Sequence, residues 1–150
     1  MHLREFIADQ AIDLSLHGTG KDEILAQLVA LLEVDERSAD ALLKLLRRRE
    51  TLGSTGVGRG IAIPHCRTPV VTQLRLAFGR HDAGVDYRAI DDKPVHHFFL
   101  IVAPPIEVSN QYLPVLGKIA QLAKESDVPD RLAKVADAAQ FFALLSEKGV

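Results

Sequence analysis

The sequence predicts one layered α/β domain, and three observations carry that prediction. A continuous apolar run, HHFFLIVAPP, lies late in the chain, amphipathic helical patterns occupy both ends, and no linker, repeat or low-complexity tract separates them. The 150 residues suffice for one domain, residues 1–150, with a core of its own.

Taken in order, Ile12, Leu14 and Leu16 alternate with polar neighbours, so AIDLSL predicts a short strand. The segment KDEILAQLVALLEV has apolar residues at 24, 25, 28, 29, 31 and 32, a helical spacing. A second helix is expected to start near Asp35 or Ser38, both good caps, and to turn Leu42, Leu43, Leu45 and Leu46 inward. Gly53 suits its end. The short apolar run Ile61-Ala62-Ile63 is closed by Pro64, and Leu74, Leu76 and Phe78 alternate in the next strand. HDAGVDY reads as a turn region, and HHFFLIVAPP as a strand buried on both faces. From about Asn110 the chain turns helical: QYLPVLGKIAQLAKE, PDRLAKV, then DAAQFFALLSEK with Asp137 as its cap and Gly149 at its stop.

Composition excludes several functions. Hydrophobic residues are 47% and charged residues 25%, the balance of a soluble globular protein. A net charge of −2 argues against nucleic acid, which calls for a strongly basic face, and Lys44–Arg49 reads as a solvated helix end. The single cysteine, Cys66, leaves no internal disulfide and fits a reducing compartment. The N-terminus has no signal-peptide core and no stretch approaches a membrane span, so a cytoplasmic protein without direct membrane insertion is expected.

The densest signal is GSTGVGRGIAIPHCRTP, residues 53–69. A P-loop would continue as Gly-Lys-Ser/Thr, but Arg59 and Gly60 follow Gly58. A dinucleotide fingerprint fails because position 61 is Ile, and because the loop leads from helix to strand. His65-Cys66 and His96-His97 are adjacent pairs, which a strand points to opposite faces, and neither has the spacing of a zinc site. No metal and no cofactor are expected. There remain an ordinary strand-end histidine and a histidine that itself carries an anion. Pro64 stiffens the backbone beside His65, and Arg49, Arg59, Arg67, Ser54 and Thr55 are near in sequence, which favours the anion.

A neutral imidazole can attack phosphorus, and an ordinary pKa of about 6.5 leaves much of it neutral near pH 7. Its other ring nitrogen needs an acceptor, most simply a backbone carbonyl. Glycines allow close backbone approach, while N–H groups and arginine stabilise the transferred group. A phosphorylated protein side chain as donor requires no Mg²⁺.

The run Arg49-Glu50-x-x-Gly53-Ser54-Thr55-Gly56-Val57-Gly58-x-Gly60-Ile61-Ala62-Ile63-Pro64-His65 strongly resembles the enzyme IIA domains of the fructose/mannitol class of the bacterial phosphotransferase system, which includes the nitrogen-regulatory IIA proteins. The likeness extends to the initial strand and helix, to Ile90–Val95, and to the later Leu-x-x-Leu helix. It implies a mixed β-sheet flanked by helices. It implies further that His65 accepts a phosphoryl group from the phosphocarrier HPr or its nitrogen-branch relative, and that Arg49 helps bind that group. Ser54, Thr55, Gly56, Gly58, Arg59 and Gly60 become the expected phosphate-binding loop. The acceptor after His65 is a IIB domain, water or a regulated target protein, and a chain without fused IIB or membrane domains points to the regulatory branch.

Two residues depart from the family pattern. Arg59 stands where G-N-G is usual, either adding charge to the site or pointing to solvent, with solvent favoured. Tyr112 stands where a second active-site histidine opens a later helix, and it brings a hydroxyl but no imidazolium charge. Slower transfer, a less stable phosphohistidine and a non-transferring binding module all remain open, as does a Tyr112 that only packs its helix. His96 and His97 are expected to fill packing or sheet-end positions.

Overall fold

A computed structural model describes residues 1–150. A 3-10 turn, Leu3–Phe6, leads into β1 (Ile7–Asp13), followed by α1 (Lys21–Ala30) and α2 (Glu36–Thr51). Then come β2 (Gly56–Gly58), β3 (Ile61–Ala62), β4 (His65–Arg67), β5 (Arg75–Val85) and β6 (Val95–Ala103). Three helices finish the chain: α3 (Tyr112–Lys124), α4 (Val128–Lys134) and α5 (Ala138–Glu147).

The six strands form one mixed sheet in the order β1-β5-β6-β3-β2, with β4 also on β6. The β1·β5, β3·β6 and β4·β6 pairs are parallel, and the β5·β6 and β2·β3 pairs antiparallel. Buried β6 is covered on both faces, which is why it reads as an unbroken apolar run. On one face Phe78 packs between Phe99 and Phe141 of α5, with ring centroids 4.9 and 4.5 Å away. On the other, Phe98 meets Tyr87 at 5.4 Å, and α1 packs on β5. A Cβ on Gly79 would lie 2.5 Å from Leu16 and 2.9 Å from Leu28, so a side chain there would force that layer outward.

Asp35 caps α2 by accepting the Ser38 N–H at 2.8 Å, and Asp137 caps α5 by accepting from Gln140. Leu42 and Leu46 are fully buried, whereas Leu43 and Leu45 are only half-buried. Two elements differ from expectation. The first strand ends at Asp13, because its carboxylate accepts the Ser15 N–H at 2.8 Å and turns the chain before Leu14 and Leu16. The polar segment HDAGVDY is not a turn but mostly the distal part of β5, whose register against β6 shifts between Arg80 and Val85. No helix is long and apolar enough to cross a membrane.

Candidate functional site

The β3 and β4 segments are one line along β6, broken at Pro64. Ile61 pairs with His97 and His65 with Ile101, the same offset on both sides of the break. Pro64 donates no hydrogen bond, but its carbonyl accepts from Ile101 N–H at 2.9 Å, so the chain resumes its register and delivers His65 to the strand.

His65 is partly buried, and its Nδ1 lies 2.7 Å from the Ile63 carbonyl. A carbonyl only accepts, so Nδ1 carries the proton and Nε2 presents its lone pair. Burial holds the His65 pKa below its ordinary value; the Ile63 bond opposes that, nearby Arg49 reinforces it, and Glu50 opposes it. The net result is a neutral, oriented imidazole near pH 7.

Arg49 and Glu50 come from the last turn of α2, which packs on β4. The Arg49 guanidinium donates to the Gly53 carbonyl at 2.9 Å. Glu50 turns inward and is 9% exposed. It accepts from Lys21 Nζ at 3.0 Å, from the Thr55 N–H at 3.1 Å and from the Thr55 hydroxyl. Ser54 Oγ donates to the Tyr87 carbonyl at 2.8 Å and accepts the Gly56 N–H at 3.0 Å. A Cβ on Gly56 would sit 2.7 Å from that of Ala89, so glycine permits this close strand approach. The hydroxyls of Ser54 and Thr55 are therefore spent on holding the loop.

The remaining residues of the expected loop lie elsewhere. Arg59 and Gly60, with φ of 59° and 76°, are the two central residues of a left-handed hairpin turn between β2 and β3. The Gly60 carbonyl accepts from His96 and His97, while His65 pairs with Ile101. The four residue steps along β6 from His97 to Ile101 put this turn about 13 Å along the strand from His65. The Arg59 side chain bonds to the Lys124 carbonyl, at the opposite end of α3 from Tyr112. Gly58, Arg59 and Gly60 thus shape a hairpin turn, while Thr55 is tied to the histidine's strand through the Ile63 N–H.

Tyr112 does reach the site. Its ring centroid is 5.9 Å from that of His65, and the Arg67 guanidinium, which donates to the Pro104 carbonyl at 3.1 Å, lies over the Tyr112 ring 4.4 Å from its centroid. Burial raises the Tyr112 pKa, so a neutral phenol stands there. The Cys66 thiol is pushed up to about 12 by burial, which leaves it protonated and unreactive. His97 is buried, stacked on Phe78 and lowered to about 4 by burial, while His96 bonds to the His81 carbonyl. Neither belongs to the His65 cluster.

Sequence reading gave no role to Glu50, Lys21 or Tyr87. The only local signal was an acid directly after Arg49; Lys21 is 29 residues from Glu50 and Tyr87 is 32 residues from Thr55, and both join the cluster only through folding.

These features place the molecule among mixed α/β domains built around one oriented imidazole at an edge strand. The chain belongs to the family described as "Phosphoenolpyruvate-dependent sugar phosphotransferase system, EIIA 2", which it matches over residues 5–148. It is 31% identical over 147 residues to a nitrogen regulatory protein of Bradyrhizobium diazoefficiens, covering 97% of this chain and 95% of that one. It is also 31% identical over 134 residues to the fructose-specific EIIABC component of Bacillus subtilis, covering 88% of this chain but 21% of that larger protein. Among solved structures, the nitrogen regulatory protein IIA-Ntr of Neisseria meningitidis superposes with a TM-score of 0.81 at 30% identity, covering 94% of this chain and 97% of that one.

Proposed function

We propose that the protein is a phosphocarrier whose His65 accepts a phosphoryl group from an HPr-type phosphocarrier in the cytoplasm. The single observation that carries this reading is the 2.7 Å bond from Nδ1 to the Ile63 carbonyl, which leaves Nε2 as the nucleophile. The Nε2 lone pair forms a new N–P bond while the N–P bond of the donor's phosphohistidine breaks and its electron pair returns to the donor imidazole. Arg49 stabilises the equatorial oxygens in transit. The group then passes to a IIB domain or to water, or acts in place as added charge read by a regulated target.

A second reading has a specific observation in its favour. Tyr112 is a neutral phenol beside His65, where an imidazolium would favour a transferred phosphoryl group. In that reading the domain binds partners without transferring phosphate.

The two are separated by incubating the protein with phosphoenolpyruvate, enzyme I and the HPr-type carrier, then measuring intact mass under mildly alkaline conditions. One acid-labile phosphoryl adduct, absent from a folded His65→Ala variant, is expected. No adduct beside a working IIA control would leave the binding module, and an adduct on His65→Ala would overturn the site.

A further inference from the structure

We infer that Glu50 is a positioning residue for His65, acting through Thr55 and Ile63. The inference rests on the phosphoacceptor reading of His65, and it adds a part of the site that lies wholly behind the reacting face.

The connection is a continuous series of hydrogen bonds. Lys21 Nζ, from the first residue of α1, holds the buried Glu50 carboxylate at 3.0 Å. That carboxylate takes both donors of Thr55, the backbone N–H at 3.1 Å and the side-chain hydroxyl. Thr55 is 4% exposed, so neither donor has water as an easy substitute. With its donors fixed, Thr55 aims its carbonyl at the Ile63 N–H, 2.9 Å away. Ile63 in turn aims its own carbonyl at His65 Nδ1, 2.7 Å away. The N–H and C=O of Thr55, like those of Ile63, lie in adjacent peptide planes joined at one Cα, and the flanking β2·β3 pairing of Gly56 with Ala62 restricts the φ and ψ that relate them.

The consequence for chemistry is the tautomer. An imidazole without a fixed acceptor places its proton on either nitrogen, and a proton on Nε2 removes the lone pair that attacks phosphorus. A carboxylate that holds a catalytic imidazole in the right tautomer does so by direct contact in other active sites. Here the carboxylate works through two residues, Thr55 and Ile63, because the Ile63 carbonyl occupies Nδ1. Pro64, between Ile63 and His65, narrows the backbone further and keeps the carbonyl and the ring in one arrangement. Lys21 makes the buried acid tolerable, and its ammonium also lies 4.4 Å over the Tyr87 ring, so the pair is built into the layer between α1 and the sheet.

The test uses the full chain with Glu50→Gln, Glu50→Asp and Glu50→Ala, each checked for folding by circular dichroism. Glutamine keeps the length, with its carbonyl accepting from Thr55 N–H and its amide donating to the Thr55 hydroxyl. Aspartate keeps the charge but withdraws from Thr55 by one methylene. Two readouts are taken: the His65 ring tautomer from two-bond proton–nitrogen-15 correlation spectra, and the rate of single-turnover phosphorylation against the concentration of phosphorylated HPr-type carrier. In the wild type a single Nδ1–H tautomer is expected, retained by Glu50→Gln with the maximal rate within about threefold. Glu50→Asp and Glu50→Ala are expected to show mixed tautomers and a maximal rate lower by about tenfold or more, at an unchanged half-saturating carrier concentration. An unchanged tautomer and rate in either folded variant overturns the role. So does a wild-type spectrum with the proton on Nε2, which decides the matter even where both shortened variants fail to fold. A wild-type protein that takes up no phosphoryl group sinks the phosphoacceptor reading, while the tautomer spectra still decide the positioning.

Discussion

Replacing Arg59 by asparagine separates a turn from a phosphate site. Arg59 is the first central residue of the β2–β3 hairpin turn, at φ of 59°. A left-handed conformation costs an ordinary L-residue roughly 1–2 kcal/mol, and asparagine, the preferred residue there, relieves about 1 kcal/mol of it. Against this stands the loss of the exposed bond from Arg59 to the Lys124 carbonyl, worth about 0.5 kcal/mol at the surface. The net gain is about 0.5 kcal/mol, a rise in Tm of about 1–2 °C for a chain of this length. The effect on chemistry follows from distance. One unit charge acting over about 13 Å in water contributes about 0.3 kcal/mol, and salt screens it further with a Debye length of about 8 Å. Arg59→Asn should therefore change the rate of phosphoryl transfer to His65 by less than about twofold. A donor that touched the phosphoryl group would cost about a hundredfold on removal. Calorimetry and single-turnover transfer on the same preparation give both numbers. A tenfold slower reaction in a folded Arg59→Asn protein would refute the hairpin argument and restore Arg59 to the site.

Three further outcomes are expected. If His65 is the phosphoacceptor as proposed and Arg49 supplies charge at the phosphoryl group, Arg49→Ala should slow transfer about a hundredfold, while loss of its exposed bond to Gly53 costs under about 1 kcal/mol of stability by urea denaturation. Tyr112→His should speed transfer if the missing imidazolium limits the chemistry; an unchanged rate would make Tyr112 a packing residue beside His65. His97 titrates near 4 in the folded protein and near 6.5 when unfolded, so the unfolded chain binds more protons between those values and stability falls as the pH drops through them. From pH 7 to pH 5 that loss is about 2 kcal/mol by urea denaturation, and a His97→Gln protein should show a shallower slope.

The sequence by itself determined the elements whose signals are local. The Asp35 and Asp137 caps, the 3.6-residue spacing of α1, α2 and α5, and the unbroken apolar β6 are short-range facts that packing then used without changing. The motif from Arg49 to His65 was legible for the same reason: its histidine, proline and arginine are close in sequence as well as in space. Tertiary structure decided what those residues face. The glycines split into a hairpin turn at Gly58–Gly60 and a clamped loop at 53–56, because β2 folds back on β3 and draws the two groups apart along β6. Residues 81–85 of HDAGVDY became strand because β5 keeps its β6 partner across a register shift, with pairing resumed at Val85 and Val95, and that pairing overrides turn-forming residues. Tyr112 came to His65 across 47 residues, and Lys21 came to Glu50 across 29, distances over which a linear pattern carries no information. Local propensity is written in neighbouring residues, whereas a buried carboxylate acquires its partners only when two helices and a sheet close around it.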